Sequence, residues 1–344
     1  MRRSLPKTVS ENVTNKPHDD DNLRPALRLK SGINTRSPAK MNNNSPETPH
    51  RISVVIASKV GSPFIEQCLD SVKLQADALN AEVIVVIPQG ETYASRIADQ
   101  YPWARVVRSA ETKVPALRRH GVEESSGDLI AVIEEHCSAK EDWLATVISA
   151  LESGEYSAVG GPVVDYNYDK LRDWTVYFCE YNGALPPFAA GETGNLNDAN
   201  IAYPRSVLME HKSLLDDGYW PMTLHGTLLA SGHKMLSVPG MVVYHRGPFP
   251  YRYYLGQRFL FSRAYTGVRA QNKSALWRLI YLVAAPVLPA VLLARIALRV
   301  FSKRCHIGKF ILALPLTIIA LVVLVAGEWI GCLLGPGDAL SKVE

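Results

Sequence analysis

Three consecutive polar residues, Glu134, Glu135 and His136, are the part of this sequence best suited to chemistry. They directly follow Leu129–Ile133, where four of the five residues are Leu, Ile or Val. Such a continuous apolar run is typical of a strand buried on both faces of a parallel sheet. Ligands of open α/β sheets bind beyond the carboxyl ends of the strands. The segment therefore predicts a site for a divalent metal or a sugar nucleotide, and a charged surface turn is the alternative.

The direction of these side chains follows from the geometry of a strand. Successive side chains of a strand point to opposite faces. If the extended backbone continues past Ile133, Glu134 and His136 point to one side and Glu135 points to the other. Two of the three residues are thus expected to work together.

The surrounding chain alternates between predicted strands and helices, which indicates an α/β fold with a mostly parallel sheet. Apolar runs predict strands at residues 52–57, 82–88, 104–108, 129–133, 156–164 and 241–245. Apolar spacing and stop residues predict helices at 63–79, 94–100, 114–125, 142–151, 205–215 and 224–231. Residues 165–192 are expected to form an aromatic, loop-rich segment. Gly160 and Gly161 lie where the backbone is expected to approach another element closely.

The totals exclude several classes of protein. The chain has 344 residues and a formal net charge of +4, which is too mild for a nucleic-acid-binding protein. Its five cysteines are widely spaced and lack a CxxC motif, which argues against a disulfide framework or a structural zinc site. Residues 1–50 are polar and are predicted to be a disordered basic tail. That tail is either plainly solvated or in contact with anionic lipid, and it lacks the apolar region of a secretory leader.

Several segments, taken in order, resemble family 2 glycosyltransferases, which have the nucleotide-sugar fold called GT-A. These segments are ISVVIA at 52–57, VPALRRHGVEESSGDLIAVIEEHC at 114–137, NDANIAYPRSVL at 197–208, GYW at 218–220 and SGHKMLSVPGMVVYHR at 231–246. The resemblance covers roughly residues 52–246. It implies transfer of a sugar from a nucleotide-diphosphate donor, with inversion, to an acceptor that the sequence does not identify.

The resemblance also implies roles for individual residues. Glu134, Glu135 and His136 stand where the family has Asp-x-Asp, so Glu134 is expected to bind ribose or metal and His136 to bind metal. His245 is a further expected ligand, and two imidazoles favour Mn²⁺ over Mg²⁺. The expected donor-binding residues are Ser58, Gln89, Arg118, Arg119, Glu134, Glu135 and Asn200. Guanidinium groups suit phosphate, although Arg118 and Arg119 could equally be solvated helix charges.

Two departures from the family pattern concern acidic residues. The acid expected after the second strand is absent, so Gln89 or Glu91 has to recognise the base of the nucleotide. The acidic residue that is expected near Tyr219-Trp220 to act as the catalytic base is absent, and Pro221-Met222 stands in its place. An inverting transferase needs a base within hydrogen-bond reach of its acceptor. The substitutes are Asp216 and Asp217, with Asp198 as a third option, and a simple turn before Gly218 is the alternative for the first two.

The C-terminal third predicts attachment to a membrane. Residues 249–273 mix aromatic side chains with arginines, which suits a helix at the level of lipid headgroups and a lipid or lipid-linked acceptor. Residues 276–294 and 310–334 are apolar, and about 20 such residues span a bilayer. The link between them is predicted to hold Arg295, Arg299, Lys303, Arg304 and Lys309. The first segment is either re-entrant or half of a two-span hairpin.

These patterns divide the chain into a tail at 1–50, a GT-A-like domain at 51–247, an interfacial segment at 248–275, membrane segments at 276–335 and an end at 336–344. The positive-inside rule places the catalytic domain in the cytoplasm. The resulting prediction is a membrane-associated, metal-assisted glycosyltransferase. One alternative is a degenerate member that binds a nucleotide sugar or acts as a scaffold in a membrane glycan-assembly complex. The other is a nucleotidyltransferase, for which Ser58–Gly61 is a poor match to the expected glycine-rich loop.

Overall fold

A computed structural model describes residues 52–216, 218–247, 250–271 and 273–343, and the predicted tail at 1–50 lies outside these ranges. The described strands are β1 Ile52–Ala57, β2 Glu82–Pro88, β3 Arg105–Ser109, β4 Leu129–Ile133, β5 Cys137–Ala139, β6 Ala158–Gly160, β7 Val163–Asp165, β8 Gly191–Glu192, β9 Asn200–Pro204, β10 Met235–Ser237 and β11 Val243–His245. They form one sheet in the order β3-β2-β1-β4-β9-β6-β10-β8 and a smaller one in the order β5-β11-β7.

The helices follow the strands in alternation through the first half of the chain. They are α1 Phe64–Leu79, α2 Tyr93–Gln100, α3 Val114–Glu124, α4 Trp143–Leu151, α5 Leu171–Glu180, α6 Arg205–Glu210, α7 Pro221–Ala230, α8 Tyr251–Gln271, α9 Ala275–Ala284, α10 Leu288–Lys303, α11 Ile307–Leu334 and α12 Ala339–Lys342. Short 3₁₀ segments lie at Lys212–Leu215 and Ala285–Val287. The predicted α/β class is therefore confirmed.

The large sheet is covered on both faces, because alternate residues of its central strands enter different clusters. Val54 and Ile56 of β1 pack in the cluster that contains α1 and α4, whereas Val55 packs in the cluster that contains α6 and α7. β1 runs parallel to β2 and β4, and β2 runs parallel to β3. β9 is antiparallel to β4 and β6. The carboxyl ends of β1 to β4 and the start of β9 thus meet at one edge of the sheet.

The strands predicted at 52–57, 82–88 and 129–133 have their predicted bounds. The other strand and the four helices predicted between residues 63 and 151 begin and end within one residue of their predicted bounds. The strand predicted at 156–164 is wrong as a single element. It divides into β6 and β7, which belong to different sheets. The division occurs at Gly161, where a Cβ atom would lie 1.8 Å from the carbonyl oxygen of Met241. The close approach expected for this glycine pair is confirmed there.

The segment at 165–192 contains the helix α5, which the sequence did not predict. Its aromatic side chains, including Trp174, Tyr177 and Phe178, are buried in the main core rather than exposed in a loop. Trp174, Tyr177 and Phe178 stand at the i, i+3, i+4 spacing of one helix face, and Tyr181 continues that face at i+7. The prediction of a loop-rich segment overlooked this helical pattern. α5 is the element on which the C-terminal helices pack.

α8 and α11 lie side by side and run in the same direction. Gly327 of α11 faces the backbone of Phe259, and Gly331 faces the backbone of Arg263 and Gly267 on α8. A Cβ atom at Gly331 would lie 2.4 Å from the Arg263 carbonyl oxygen. Small residues four apart let two helix backbones approach closely. The segment predicted to lie separately at headgroup level is therefore a helix that packs lengthwise on an apolar one.

Within the described part of the chain, two helical stretches are long and apolar enough to cross a membrane, Ala275–Lys303 and Ile307–Leu334. The first comprises α9, α10 and the 3₁₀ turn between them, so it extends nine residues beyond the predicted end at 294. Arg295, Arg299 and Lys303 therefore lie in α10 and Lys309 lies in α11, so Arg304 is the predicted basic residue that stays in the link, which corrects the prediction. Length and composition alone carry this assignment.

The short link between the two apolar helices contacts the α/β domain. Nε2 of His306 lies 2.8 Å from Oδ1 of Asp165, at the end of β7. The Lys309 ammonium lies over the Trp174 ring of α5, 5.5 Å from its centroid. Lys303 donates to the Leu185 carbonyl oxygen. The link is therefore held on the same side as the α/β domain.

The contact between α8 and α11 can be tested with a single added methyl group. Gly331→Ala should lower the free energy of unfolding by about 1–3 kcal/mol, because overpacking forces backbone shifts. Gly308→Ala, on the same helix, is the matched control, since no described atom outside its own helix backbone lies within 4 Å of the added carbon. Thermal unfolding in a neutral detergent measures both variants. Equal midpoints for the two would contradict the close packing.

Candidate active site

The predicted site residues lie at the sheet edge where the strands β1 to β4 end. Ser58 follows β1, Gln89 follows β2 and Glu134 follows β4. Ile133 pairs with Asn200, so the antiparallel strand β9 begins at the same edge. The topology therefore brings together residues that are up to 142 positions apart in the sequence, from Ser58 to Asn200.

Arg118 joins two carboxylates at this edge. It comes from α3, and its side chain is 5% exposed. One of its terminal nitrogens lies 3.0 Å from Oε1 of Glu134, and the other lies 2.7 Å from Oδ2 of Asp198. The buried guanidinium is thus paired on both sides, and the prediction that Arg118 is a solvated helix charge is wrong. Asp198 is 43% exposed, so it forms the solvent side of the arrangement.

Glu134 also contacts a group of rings on its other side. Its Oε2 lies 3.0 Å from Nε2 of His136 and accepts a 2.9 Å hydrogen bond from the Tyr181 hydroxyl. The His136 ring meets the His245 ring edge-on, with centroids 4.9 Å apart. Tyr168 bonds to Nδ1 of His245 through its hydroxyl. The sequence did not identify Tyr168 or Tyr181, because both come from the segment at 165–192, which was predicted to be loop-rich. For Tyr181 a signal was present, since it lies seven residues after Trp174 and continues the aromatic face of α5.

The charges in this group shift one another's pKa values. Burial alone would favour the neutral forms of Glu134 and His136, but the neighbouring charges outweigh this effect. His136 and Arg118 lower the pKa of Glu134, and Glu134 raises the pKa of His136. Burial and the neighbouring His136 hold the pKa of His245 well below its usual range. The arrangement therefore favours an ionised Glu134 beside a protonated His136, with His245 neutral.

Glu135 contacts a different set of groups from Glu134. The extended backbone expected past Ile133 is wrong, because Glu135 and His136 lie in a turn closed by a 2.9 Å hydrogen bond from the Cys137 N–H to the Glu134 carbonyl oxygen. The Glu135 carboxylate is buried and accepts hydrogen bonds from the Ser58 hydroxyl at 2.7 Å and from the backbone N–H groups of Lys59, Val60 and Gly61 at 2.8–2.9 Å. Four donors thus fix the loop between β1 and α1. The donor-binding roles predicted for Glu135 and Ser58 remain predictions. In the described structure their polar atoms are used to shape this loop.

Asn200 is fully buried, and its side chain is bonded within the protein. Its Oδ1 accepts from the Trp143 indole N–H at 2.8 Å, and its Nδ2 donates to the carbonyl oxygens of Pro162 and Met241. The donor-binding role predicted for Asn200 also remains a prediction. Its contacts connect α4, the turn after β6 and the segment before β11, so it holds the two sheets together at the site.

The remaining predicted residues lie around the rim. Gln89 is exposed, at the end of β2, as expected for a residue that recognises a base. Arg119 donates to the backbone carbonyl of Asp216 at 2.9 Å and lies 3.4 Å from Glu111, so it connects α3 to the turn before Gly218. Asp216 is exposed. Asp217 lies outside the described residues.

The first turn of α7 occupies the position where the resemblance led us to expect an acidic catalytic base. Met222 is 72% exposed there. Behind it, the Tyr219 hydroxyl donates to Tyr203, which bonds to Nε2 of His225. Burial lowers the pKa of His225 to about 4, so the imidazole is neutral at pH 7. This buried network positions the turn but presents no carboxylate at it.

The predicted metal ligands fit a metal ion poorly as they are arranged. In favour of a ligand role, Nε2 of His245 is buried and has no hydrogen-bond partner among the described residues. Against it, both oxygens of Glu134 are engaged by Arg118, Tyr181 and His136. No group of three or more His, Cys, Asp or Glu side chains in the described ranges could hold a metal ion.

Comparison with known proteins agrees with the topology. Residues 53–211 match the family described as Glycosyl transferase family 2. Glycosyltransferase AglE of Haloferax volcanii is 26% identical over 118 residues, which are 33% of this chain and 39% of that protein. The chain thus spans about two fifths of the length of this curated relative.

The fold also matches a solved structure. It is the mannosyltransferase PcManGT from Pyrobaculum calidifontis, in complex with GDP-Man and Mn²⁺. The TM-score is 0.50, with 17% identity over 85% of this chain and 88% of that one. This likeness confirms the predicted GT-A-like fold. It does not transfer the donor or the metal of that enzyme to this chain.

The Glu135 contacts predict a structural role that can be separated from Glu134. Glu135→Ala should lower the free energy of unfolding by about 3 kcal/mol, because it leaves buried donors without an acceptor. Glu141→Ala is the control, since Glu141 is an exposed glutamate in the connection between β5 and α4. Chemical denaturation followed by circular dichroism measures both. A Glu135→Ala protein as stable as the control would show that the loop does not depend on this carboxylate.

Proposed function

We propose that this chain transfers a sugar from a nucleotide-diphosphate donor to an acceptor hydroxyl or lipid phosphate, in keeping with the match of residues 53–211 to Glycosyl transferase family 2. The observation that carries the proposal is the Arg118 arrangement at the carboxyl edge of the parallel strands. There, one buried guanidinium holds Glu134 and Asp198 on opposite sides. Ligands of open α/β sheets bind at this edge.

The donor is proposed to lie across the ends of β1, β2 and β4. Gln89 is available to the base, and Glu134 is available to the ribose once its contact with His136 or Tyr181 opens. Arg119 lies on the rim, where a guanidinium can pair with a phosphate group. Ser58 and Glu135 support this surface by fixing the loop after β1.

We assign the base to Asp198 among the described candidates. Its carboxylate is partly exposed and lies on the same arginine as Glu134, so it borders the donor site. The Asp216 carbonyl oxygen binds Arg119, but nothing in the described structure directs its carboxylate toward Glu134. Asp198 would accept the proton of the acceptor hydroxyl as that oxygen attacks the anomeric carbon and the nucleoside diphosphate leaves.

A divalent cation remains a separate proposal. Mn²⁺ or Mg²⁺ would neutralise charge on the leaving diphosphate, and His245, His136 and Glu134 are the side chains that would have to hold it. Their present contacts would have to break for this to happen. Donor binding measured with and without added metal tests this proposal.

The proposed location is a membrane, with the α/β domain on the cytoplasmic side. Apolar side chains on the outer faces of α9, α10 and α11 are exposed, including Val283 at 73% and Leu298 at 71%. The basic link, which lies on the same side as the α/β domain, follows the positive-inside rule if that side is cytoplasmic. A lipid or lipid-linked acceptor is consistent with this location, and no feature favours nucleic acid.

The missing acid at Pro221-Met222 favours one other function. A domain that binds a nucleotide sugar without transferring it, as part of a membrane glycan-assembly complex, would need the donor surface but no base. Such a protein would bind the donor and leave it intact.

Calorimetric titration of the purified chain with UDP and GDP, each with and without Mn²⁺, tests the proposed function. We expect one nucleotide to bind more tightly by at least about tenfold, or about 1.4 kcal/mol, because a base-recognition site discriminates. Arg118→Gln should weaken that binding, since it removes the guanidinium that holds Glu134 in position. If neither nucleotide binds in any condition, the donor site is refuted.

The assignment of the base can be tested by three matched substitutions, Asp198→Asn, Asp216→Asn and Asp217→Asn. Loss of a general base lowers turnover by about 10²–10⁴-fold. We expect this loss in kcat for Asp198→Asn, with a much smaller change in donor affinity. Asp216→Asn should behave like the parent enzyme. A large loss of kcat in Asp217→Asn alone would move the base to that residue, and no turnover in the parent would support the binding function.

A further inference from the structure

A cavity of about 150 Å³ lies where α5, α8, α10 and α11 meet. Its wall is apolar on the side of the two membrane-type helices, with Ile296, Leu321 and Leu324. The cavity is also lined by charged side chains, namely Glu180 at the end of α5, Arg258 of α8, and Arg295 and Arg299 of α10. None of these residues belongs to the candidate active site.

The charges in this cavity do not balance. Arg258 pairs with Glu180, and the distance between Nη1 of Arg258 and Oε2 of Glu180 is 2.8 Å. Arg299 donates to Oδ1 of Asn182, which is a neutral amide. Arg295 has neither a hydrogen-bond nor an ion-pair partner within the part of the chain that the structure describes. Two positive charges are therefore left without a counter-charge.

These two charges lie on one turn of an otherwise apolar helix. Arg295 and Arg299 are four residues apart on α10, and like charges at this spacing repel. Exposed Val291 and Leu298 lie on the same helix. Arg295 is exposed and Arg299 is half-buried. On a helix that enters a membrane, such cations are normally paired. An anion between the two guanidinium groups would remove both penalties.

We infer that this cavity binds the phosphate headgroup of an anionic phospholipid. A water molecule takes about 30 Å³, so the cavity has room for a phosphate group but not for a whole lipid. The acyl chains would lie outside it, along the exposed apolar side chains of α10 and α11. The inference rests on the membrane location in the proposed function, but it does not depend on sugar transfer.

The cavity is separate from the active site but is connected to it through three consecutive residues. Glu180 and Asn182 line the cavity, whereas Tyr181 between them bonds to Glu134. The Tyr181 ring also packs on His245, with centroids 4.6 Å apart. A headgroup that bridges Arg295 and Arg299 would hold Asn182 through Arg299, and so would fix the position of Tyr181.

Lipid retention by the full chain tests this inference. The protein is reconstituted in phosphatidylcholine vesicles with and without phosphatidylglycerol, extracted in a neutral detergent, and examined by native mass spectrometry for bound lipid. We expect retained phosphatidylglycerol in preference to phosphatidylcholine. Arg295→Gln/Arg299→Gln should reduce that retention by about tenfold or more, because a charge-assisted bidentate contact is lost.

The matched control is Arg252→Gln/Arg304→Gln, which removes the same charge from exposed positions that do not line the cavity. This control should retain lipid like the parent protein. Equal losses in the two double variants, or no preference in the parent, would overturn the inference. If inorganic phosphate displaces the lipid, the site binds a soluble anion and the lipid assignment falls.

Single Arg295→Gln gives the same test if the double variant does not fold, since this side chain has no described partner to lose. It should lower phosphatidylglycerol retention while leaving thermal stability unchanged, and parent-like retention would refute the site. The measurement needs no donor. Lipid retention without any nucleotide binding would therefore leave this site standing while the proposed function fails.

Discussion

The buried guanidinium of Arg118 is the group on which the candidate active site depends. It connects α3, the end of β4 and the loop before β9 through Glu134 and Asp198. Removing a charge from water is costly, and only close pairing repays the cost. If Arg118 were absent, two neighbouring carboxylates would lose the cation that they share. The positions of Glu134 and Asp198 are therefore constrained by this residue.

The adjacent residues Glu134 and Glu135 show how local geometry separates two chemically identical side chains. Glu134 lies among Arg118, His136 and Tyr181, in a setting where charges are close enough to shift one another's pKa values. Glu135 lies among backbone N–H groups, where it acts as the centre of a loop. In our proposal, Glu134 exchanges its partners for a ligand, whereas Glu135 belongs to the scaffold. The difference arises because the chain turns between Glu134 and Cys137, and the turn places the two neighbouring carboxylates among different groups.

The apolar C-terminal helices are continuous with the α/β core. Ile296, Val300 and Phe310 belong to the same buried cluster as the central strand β1. The link between the helices is held to the domain by His306 and Lys309. α5 is the shared element, since one end of it contacts the helices and the residue after it, Tyr181, contacts the active site. The two apolar helices and the geometry of the site are thus connected through α5.

The sequence by itself determined the elements whose stability is local. The strands at 52–57, 82–88 and 129–133 were predicted at their observed bounds, because continuous β-branched runs are distinctive over short distances. The edge that carries the site followed from the order of these elements. The contact between Glu134 and His136 was also expected, but the extended backbone on which that expectation rested ends at Ile133 and is followed by a turn.

Tertiary structure decided everything that depends on distant partners. The sequence could not place Tyr181 beside Glu134, since 47 residues separate them and many other rings share that segment. It could not divide the strand at Gly161, because the cause is the backbone of Met241. It left Arg118 between a phosphate ligand and a solvated charge, and only the fold buried it between two carboxylates. Burial and pairing are properties of packed surfaces, and a linear pattern does not contain them.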